Sequence, residues 1–356
     1  MTTVIRFSGL LLVALTLRLQ CAAATAGWVL RQDYNGSSIL SVEGKPVTNA
    51  TSVAAGEGFF LALRSDGTVI GSGQNARNQA VGYGACDSTN GIVLINGAVL
   101  SNVVAISAGQ MFGLALKQDG TVVGWGETTV PGDVTNITSI SAGAGHWLAL
   151  TKTGKVLVGP KTALVPEGLT DVVAVAAGKG PHDWDTALLI NGKVIQWDVT
   201  LHPGPPAISF SKVDNYGKEY FGVGFLLRDC QEVERLTDAI AISEGENFPL
   251  ALRRDGTVFG WSFRDYDGVW RITDASGPVL SGANPLTDIA SMSAGSHGLG
   301  LAVKRDATVV CWGFNPSHYL DPPKGLSNVV SISAGAGYWV AITTSTNGLS
   351  LERLLK

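Results

Sequence analysis

The chain has 356 residues, with 25 basic against 29 acidic side chains, 15% charged residues and 45 glycines. A mildly acidic balance without a basic stripe excludes the phosphate-neutralising surface that nucleic-acid binding needs. Four cysteines in so long a chain exclude a disulfide-built scaffold, and the length suffices for a large apolar core.

The first element is a leader. Arg6 gives a positive start, Gly9–Leu17 an apolar run, and Ala22-Ala23-Ala24 or Ala24-Thr25-Ala26 a small-residue cleavage site. Residues 1–26 are therefore expected to be a secretory signal and 27–356 one exported, soluble domain. Arg18 interrupts the apolar run, which is too short to span a bilayer. Leu19-Gln20-Cys21 fits a lipoprotein box poorly because Gln precedes the Cys. Without Arg6 and Arg18, 23 of the 25 basic residues remain against 29 acidic ones. Cys86, Cys230 and Cys311 then allow one disulfide at most. Cys311 beside Trp312 reads as a small buried hydrophobe.

From Thr51 onward a phrase recurs. Thr51–Gly73 reads TSVAAGEGFFLALRSDGTVIGSG and Val104–Gly126 reads VAISAGQMFGLALKQDGTVVGWG, with further copies at Thr138–Gly159, Ala241–Trp261 and Ala290–Gly313. Val173–Trp197 and Val330–Thr343 are looser copies. Each copy alternates apolar and polar residues as half-buried strands do, and Asp-Gly or Asn-Gly (Asp66-Gly67, Asp119-Gly120, Asn191-Gly192, Asp255-Gly256) separates two of them as a hairpin turn with both residues at positive φ. In one copy the pair is Asp306-Ala307, where a side chain resists positive φ, so a different turn is expected there. The Ala-Gly glycines (Gly56, Gly109, Gly143, Gly178, Gly295, Gly335) mark a close backbone approach. The recurring Trp residues (Trp125, Trp197, Trp261, Trp312) are expected to pack between units.

No window after the leader sustains a helical apolar period. Repeated antiparallel sheets without helices hide their edges by closing radially, so the fold class is all-β, a β-propeller. Seven blades are favoured. An eighth is the alternative if Ser209–Val233 is a decayed copy rather than a long insertion. The last copy lacks its Trp-Gly strand, and Gly27-Trp28-Val29-Leu30 supplies one at the other end, so the N-terminal strand is expected to close the ring.

The repeat resembles that of the RCC1-like (regulator of chromosome condensation) β-propeller family. Ser141-Ala142-Gly143-Ala144-Gly145-His146-Trp147-Leu148-Ala149-Leu150 carries the first half of its signature, and Asp119-Gly120-Thr121-Val122-Val123-Gly124-Trp125-Gly126 the second. The resemblance covers about Gly27–Thr343 but has the signature His at its slot only once; His297 falls one residue early. It implies a seven-bladed binding platform. The founding member is a chromatin-bound exchange factor for a small GTPase; the export signal and the missing basic tail argue against transferring that activity. The exported short-repeat type, which includes proteinaceous inhibitors of β-lactamase, looks more similar and implies a protein-binding face.

No Gly-x-Ser-x-Gly elbow, His-Glu-x-x-His or P-loop is present, and the five histidines have no metal spacing, so neither cofactor nor metal is expected. His146 and His297 read as turn histidines, while His202 and His318 lie in Pro-rich links. Recognition is instead expected in loops carried by the rigid scaffold. Ser262–Asp274 concentrates Arg264, Asp265, Tyr266, Asp267, Trp270 and Arg271, residue types that dominate interfaces; the bland alternative is that Trp270 plugs its own loop. Gln74–Asn90 adds Arg77 and Tyr83. An enlarged interval carries His182, Asp183 and Asp185, read as an inserted bulge. The expected function is a monomeric, non-enzymatic exported scaffold that binds a protein or cell-envelope component. The alternative is a polysaccharide-acting enzyme with two carboxylates near the axis.

Overall fold

The computed structural model describes residues 26–83, 90–160, 165–180, 184–198, 210–213, 219–222, 231–233, 236–246, 248–261, 263–266, 269–272, 277–281, 284–313, 318 and 320–345. Among these, seven antiparallel sheets of three or four strands follow one another around an axis. Their innermost strands are Ala50–Ala55, Val103–Ala108, Ile137–Ala142, Val172–Ala176, Ala239–Ser243, Ile289–Ala294 and Val329–Ala334. Each innermost strand lies beside the next, and the last returns to the first, so no edge of this inner circuit is left open. No helix among the described residues is long and apolar enough to cross a membrane.

Closure uses the N-terminal strand. Trp28–Asp33 pairs antiparallel with Trp339–Thr343, which pairs with Val329–Ala334, and Gly36–Ile39 adds the outer strand. Val29 and Leu30 point to opposite faces of this sheet and are both fully buried, each against a different neighbouring sheet. One strand thus joins the two chain ends and fills two apolar layers.

Those layers hold the ring together. Apolar clusters sit between consecutive sheets, because each sheet has two apolar faces and one neighbour on either side. Trp125, Trp197 and Trp261 are buried in three of these layers, and Trp312 packs against a fourth, as a Trp recurring at one slot requires. Cys311 is partly buried in the strand Val309–Trp312 as a free thiol, and burial, followed by the charge of Asp321, pushes it up to about 12. Cys86 and Cys230 lie outside the described residues.

The Ala-Gly slot is a close approach. A Cβ on Gly109 would collide with the carbonyl of Gly143, and one on Gly245 with that of Gly295, so the next blade's backbone occupies the space. The hairpin turns differ from the sequence expectation. Only the glycine has positive φ (78° at Gly67, 84° at Gly120), and the Gly67 amide donates to the Arg64 carbonyl at 3.0 Å, a type I turn closed by a left-handed residue. The Asp supplies a further lock: Oδ1 of Asp119 accepts the amide of Thr121 at 3.0 Å and its hydroxyl at 2.6 Å, and Asp66, Asp255 and Asp306 repeat this. Hydrogen bonds from the Thr side chains hold the Asp119, Asp255 and Asp306 carboxyls below their usual range. That contribution is complete above the unfolded carboxylate range and is lost as pH falls through the lowered values.

Asp306-Ala307 keeps the same turn instead of adopting another. Ala307 takes φ 63°, its amide donates to Lys304 at 2.9 Å, and both Thr308 bonds to Asp306 form. The repeated context thus overrides one residue's steric preference, which costs about 1 kcal/mol. Ala307→Gly is expected to raise stability by about 0.5 kcal/mol, the left-handed penalty less the entropy of glycine in the unfolded chain. A melting curve with no rise would show that the turn is unstrained.

The segment Ser209–Val233 is placed by its strands. Phe210–Val213 and Glu219–Gly222 form a two-stranded hairpin, and Gln231–Glu232 pairs with Ile195 and Gln196 as the outer strand of the preceding sheet. The described part of this segment is therefore an excursion between the third and fourth strands of one sheet.

Candidate functional site

The inner strands end at a cavity of about 210 Å³ on the axis, lined by residues from all seven sheets. Its wall is built by one recurring bond. The residue two before the axial glycine is Ser107, Ser141, Ser243, Ser293 or Ser333, and each Oγ accepts the backbone amide of the next sheet: Ala142, Ala177, Ala294, Ala334 and Ala55, at 2.9–3.0 Å. Sheets that cannot pair edge to edge are thereby stitched around the axis. The belt is interrupted twice, where Ala54 and Ala176 hold the serine slot.

At the second interruption the repeat also breaks in its next slot, where Glu244 stands in place of alanine. Glu244 is buried and accepts the hydroxyl of Thr186 and, at 3.1 Å, the amide of Gln196; Gln196 in turn accepts the Trp261 indole at 2.7 Å. Burial pushes the Glu244 carboxyl well above its usual range; the Thr186 bond opposes this and the negative charge of Asp185 adds to it.

Asp185 is completely buried. Its Oδ1 lies 2.7 Å from His146 Nε2 and accepts the Gly178 amide at 3.2 Å. His146 occupies the slot that holds Phe59, Phe112 and Tyr338 in other sheets, and each of these rings packs on its own sheet's axial glycine. Lys179, the next residue after the axial glycine of this sheet, lines the cavity and donates from Nζ to the Ala55 carbonyl at 3.2 Å.

Around this axis the strand ends define one face. Phe59 pairs with Gly73, Trp184 with Asp198, and Leu250 with Gly260, so the axial glycine loops and the exits of the third strands lie at the same end of every sheet. All three loop regions singled out in the sequence leave the scaffold there. The Ser262–Asp274 region departs after Trp261, and the chain rejoins at Gly277, opposite Gly260. Within it Phe263–Tyr266 pairs with Val269–Ile272, placing Asp265 across from Trp270 and Arg264 across from Arg271. Asp267, His182 and Asp183 lie outside the described residues. The Asp-Gly turns occupy the opposite face.

The Gln74–Asn90 region is well anchored. Asn75 Oδ1 accepts the amides of Ala80 and Val81 at 3.1 Å, and the Gln79 carbonyl accepts the Trp125 indole at 3.0 Å, tying the loop to the next sheet. Arg77, 61% exposed, pairs with Glu127 at 3.0 Å, and Tyr83, 43% exposed, donates to the Gly126 carbonyl at 2.9 Å. With exposed Met111 they present a mixed apolar and charged patch. Asp185 is placed differently from the sequence expectation of an inserted bulge: it lies in the strand Trp184–Leu189 and is buried against His146. Glu244, Lys179 and the serine belt were missed. The departure Ser-Glu-Gly from Ser-Ala-Gly was the available signal.

Among the described residues no cluster of three metal-ligating side chains occurs. His318, exposed, pairs with Asp321 at 3.2 Å.

Residues 50–79 match the family model for the Regulator of chromosome condensation (RCC1) repeat. The fold is similar to that of Prp20p from Saccharomyces cerevisiae, described with its binding to Gsp1p and histones: TM-score 0.62, 16% identity, covering 92% of this chain and 95% of that one. The same yeast protein in complex with Kap60 matches at TM-score 0.61, 15% identity and 98% and 96% coverage. Human WBSCR16 matches at TM-score 0.57, 14% identity and 89% and 98% coverage. At these identities the likeness is one of fold.

Proposed function

Because the chain carries an RCC1 repeat on an RCC1-type propeller, we propose that it is an exported, monomeric, non-enzymatic scaffold of seven blades that binds a protein or cell-envelope partner through one face. The observation that carries this reading is the common exit of the three loop regions at a single end of the sheets. The residues proposed for the contact are Arg264, Tyr266, Trp270 and Arg271 on the paired hairpin, with Asp265 and Asp267, together with Arg77 and Tyr83 at the same end of another sheet and with His182 and Asp183. Aromatic and Arg side chains bury large areas while keeping polar handles, which suits such a face. That yeast Prp20p binds proteins supports the class of partner and leaves its identity open. Export follows from Arg6, the apolar run and the small-residue site.

A polysaccharide-acting site would need two carboxyls at an accessible axial mouth. The carboxylate among the described cavity-lining residues is Glu244, engaged by Thr186 and Gln196, while Asp185 is closed off by His146. Both are committed to holding sheets together, which favours the scaffold reading.

The test is affinity capture by residues 27–356 from secreted and envelope fractions of the source cells, beside the Arg264→Ala/Tyr266→Ala/Trp270→Ala variant. The wild type is expected to retain a protein that the variant, with an unchanged melting curve, releases. Equal capture by both, or capture of nothing, would overturn the loop site.

A further inference from the structure

We infer that the axial cavity is a binding site for a small oxyanion, a free carboxylate or inorganic phosphate-like ion, held by Lys179 and the serine belt. The inference goes beyond the loop-face reading and does not rest on it.

Three observations converge. Lys179 projects into the cavity from one sheet and reaches the Ala55 carbonyl of a sheet three places away in one direction and four in the other, so its ammonium sits across the axis. Among the described residues its hydrogen-bond partner is this carbonyl and not a carboxylate, and a partly buried ammonium gains from an anionic partner. Second, the five serines each accept a backbone amide, so each hydroxyl hydrogen remains a donor along the cavity wall. Third, the two interruptions add donors. The amides of Ala108 and Glu244 have the same register as those of Ala142 and Ala177 but meet Ala54 and Ala176, which offer no acceptor side chain.

The lining is therefore rich in donors, and its titratable members among the described residues are Lys179 and Glu244. Glu244 Oε1 already accepts the Thr186 hydroxyl and the Gln196 amide, and burial pushes its carboxyl well above its usual range, which lessens its competition with an anion for the ammonium. Burial lowers Lys179 to about 8, so it remains mostly protonated at neutral pH. An anion favours the charged form and moves that value upward; binding weakens as pH rises above it. The cavity of about 210 Å³ admits an ion of phosphate or acetate size and excludes a sugar chain.

The test is calorimetric titration of the full mature chain with inorganic phosphate and with acetate at fixed ionic strength. Saturable binding is expected in the wild type and at least about tenfold weaker binding in Lys179→Met, whose uncharged chain has similar length. Equal affinity in both, or no saturable binding in the wild type, would overturn the site. Should Lys179→Met not fold, the wild type alone decides. The NMR titration midpoint of the Lys179 ammonium should rise on adding phosphate, and an unmoved midpoint would sink the inference.

Discussion

A chain lacking residues 26–32 is expected to lose more than about 5 kcal/mol of stability and to melt far below the parent. The deletion removes Val29 and Leu30, both fully buried, and burying either residue contributes about 2–4 kcal/mol. It also bares one edge of Trp339–Thr343 along five paired positions, leaving ladder groups open to water and to other chains. The ring is then held by its remaining inter-sheet layers without the strand that joins its ends. Thermal unfolding with aggregation monitored by light scattering measures both effects. An unchanged melt would mean that the ends are joined by something other than this strand.

Asp185→Ala is expected to cost about 3 kcal/mol, since each buried donor left without its acceptor costs about 1–3 kcal/mol. The substitution deprives His146 and the Gly178 amide of their shared acceptor where neither meets water. Adding His146→Phe should recover much of the loss, because Phe59 and Phe112 fill the same slot elsewhere and pack on the same kind of glycine. Denaturant unfolding of the single and double variants measures the coupling. A loss within about 0.5 kcal/mol for Asp185→Ala would instead assign it to an exposed loop.

The repeat made most of the architecture readable. Alternation in Val103–Ala108 and its copies gave the inner strands, and the unmatched Gly27–Leu30 gave closure, because the edge of an incomplete unit must be covered. Glycines at the Ala-Gly slot were readable for the same reason: only close backbone approach keeps that slot free of side chains across the copies. The turn at Ala307 is not legible from residue propensity, because the Thr308 locks and the packed strands fix its geometry. Asn or Asp takes positive φ just before several inner strands (Asn102, Asn136, Asp171, Asp288, Asn328), as the two residue types that tolerate the left-handed region best.

The axial site was less legible. His146 and Asp185 are 39 residues apart and meet only because consecutive units stack, so no local spacing encodes the pair. Serine alternating with apolar residues looks like any exposed strand position until the ring turns it toward the axis. Glu244 was the exception, a carboxylate written into a slot otherwise filled by alanine.

The most direct measurement compares the two faces of the propeller. Partner affinity would be measured for Arg77→Ala/Tyr83→Ala, at the loop end, and for Asp119→Ala/Ile190→Ala, at the turn end, with folding checked for both. Binding at the loop end predicts a loss of about tenfold or more in the first variant and little change in the second. Loss confined to the second variant, or equal loss in both, would contradict it.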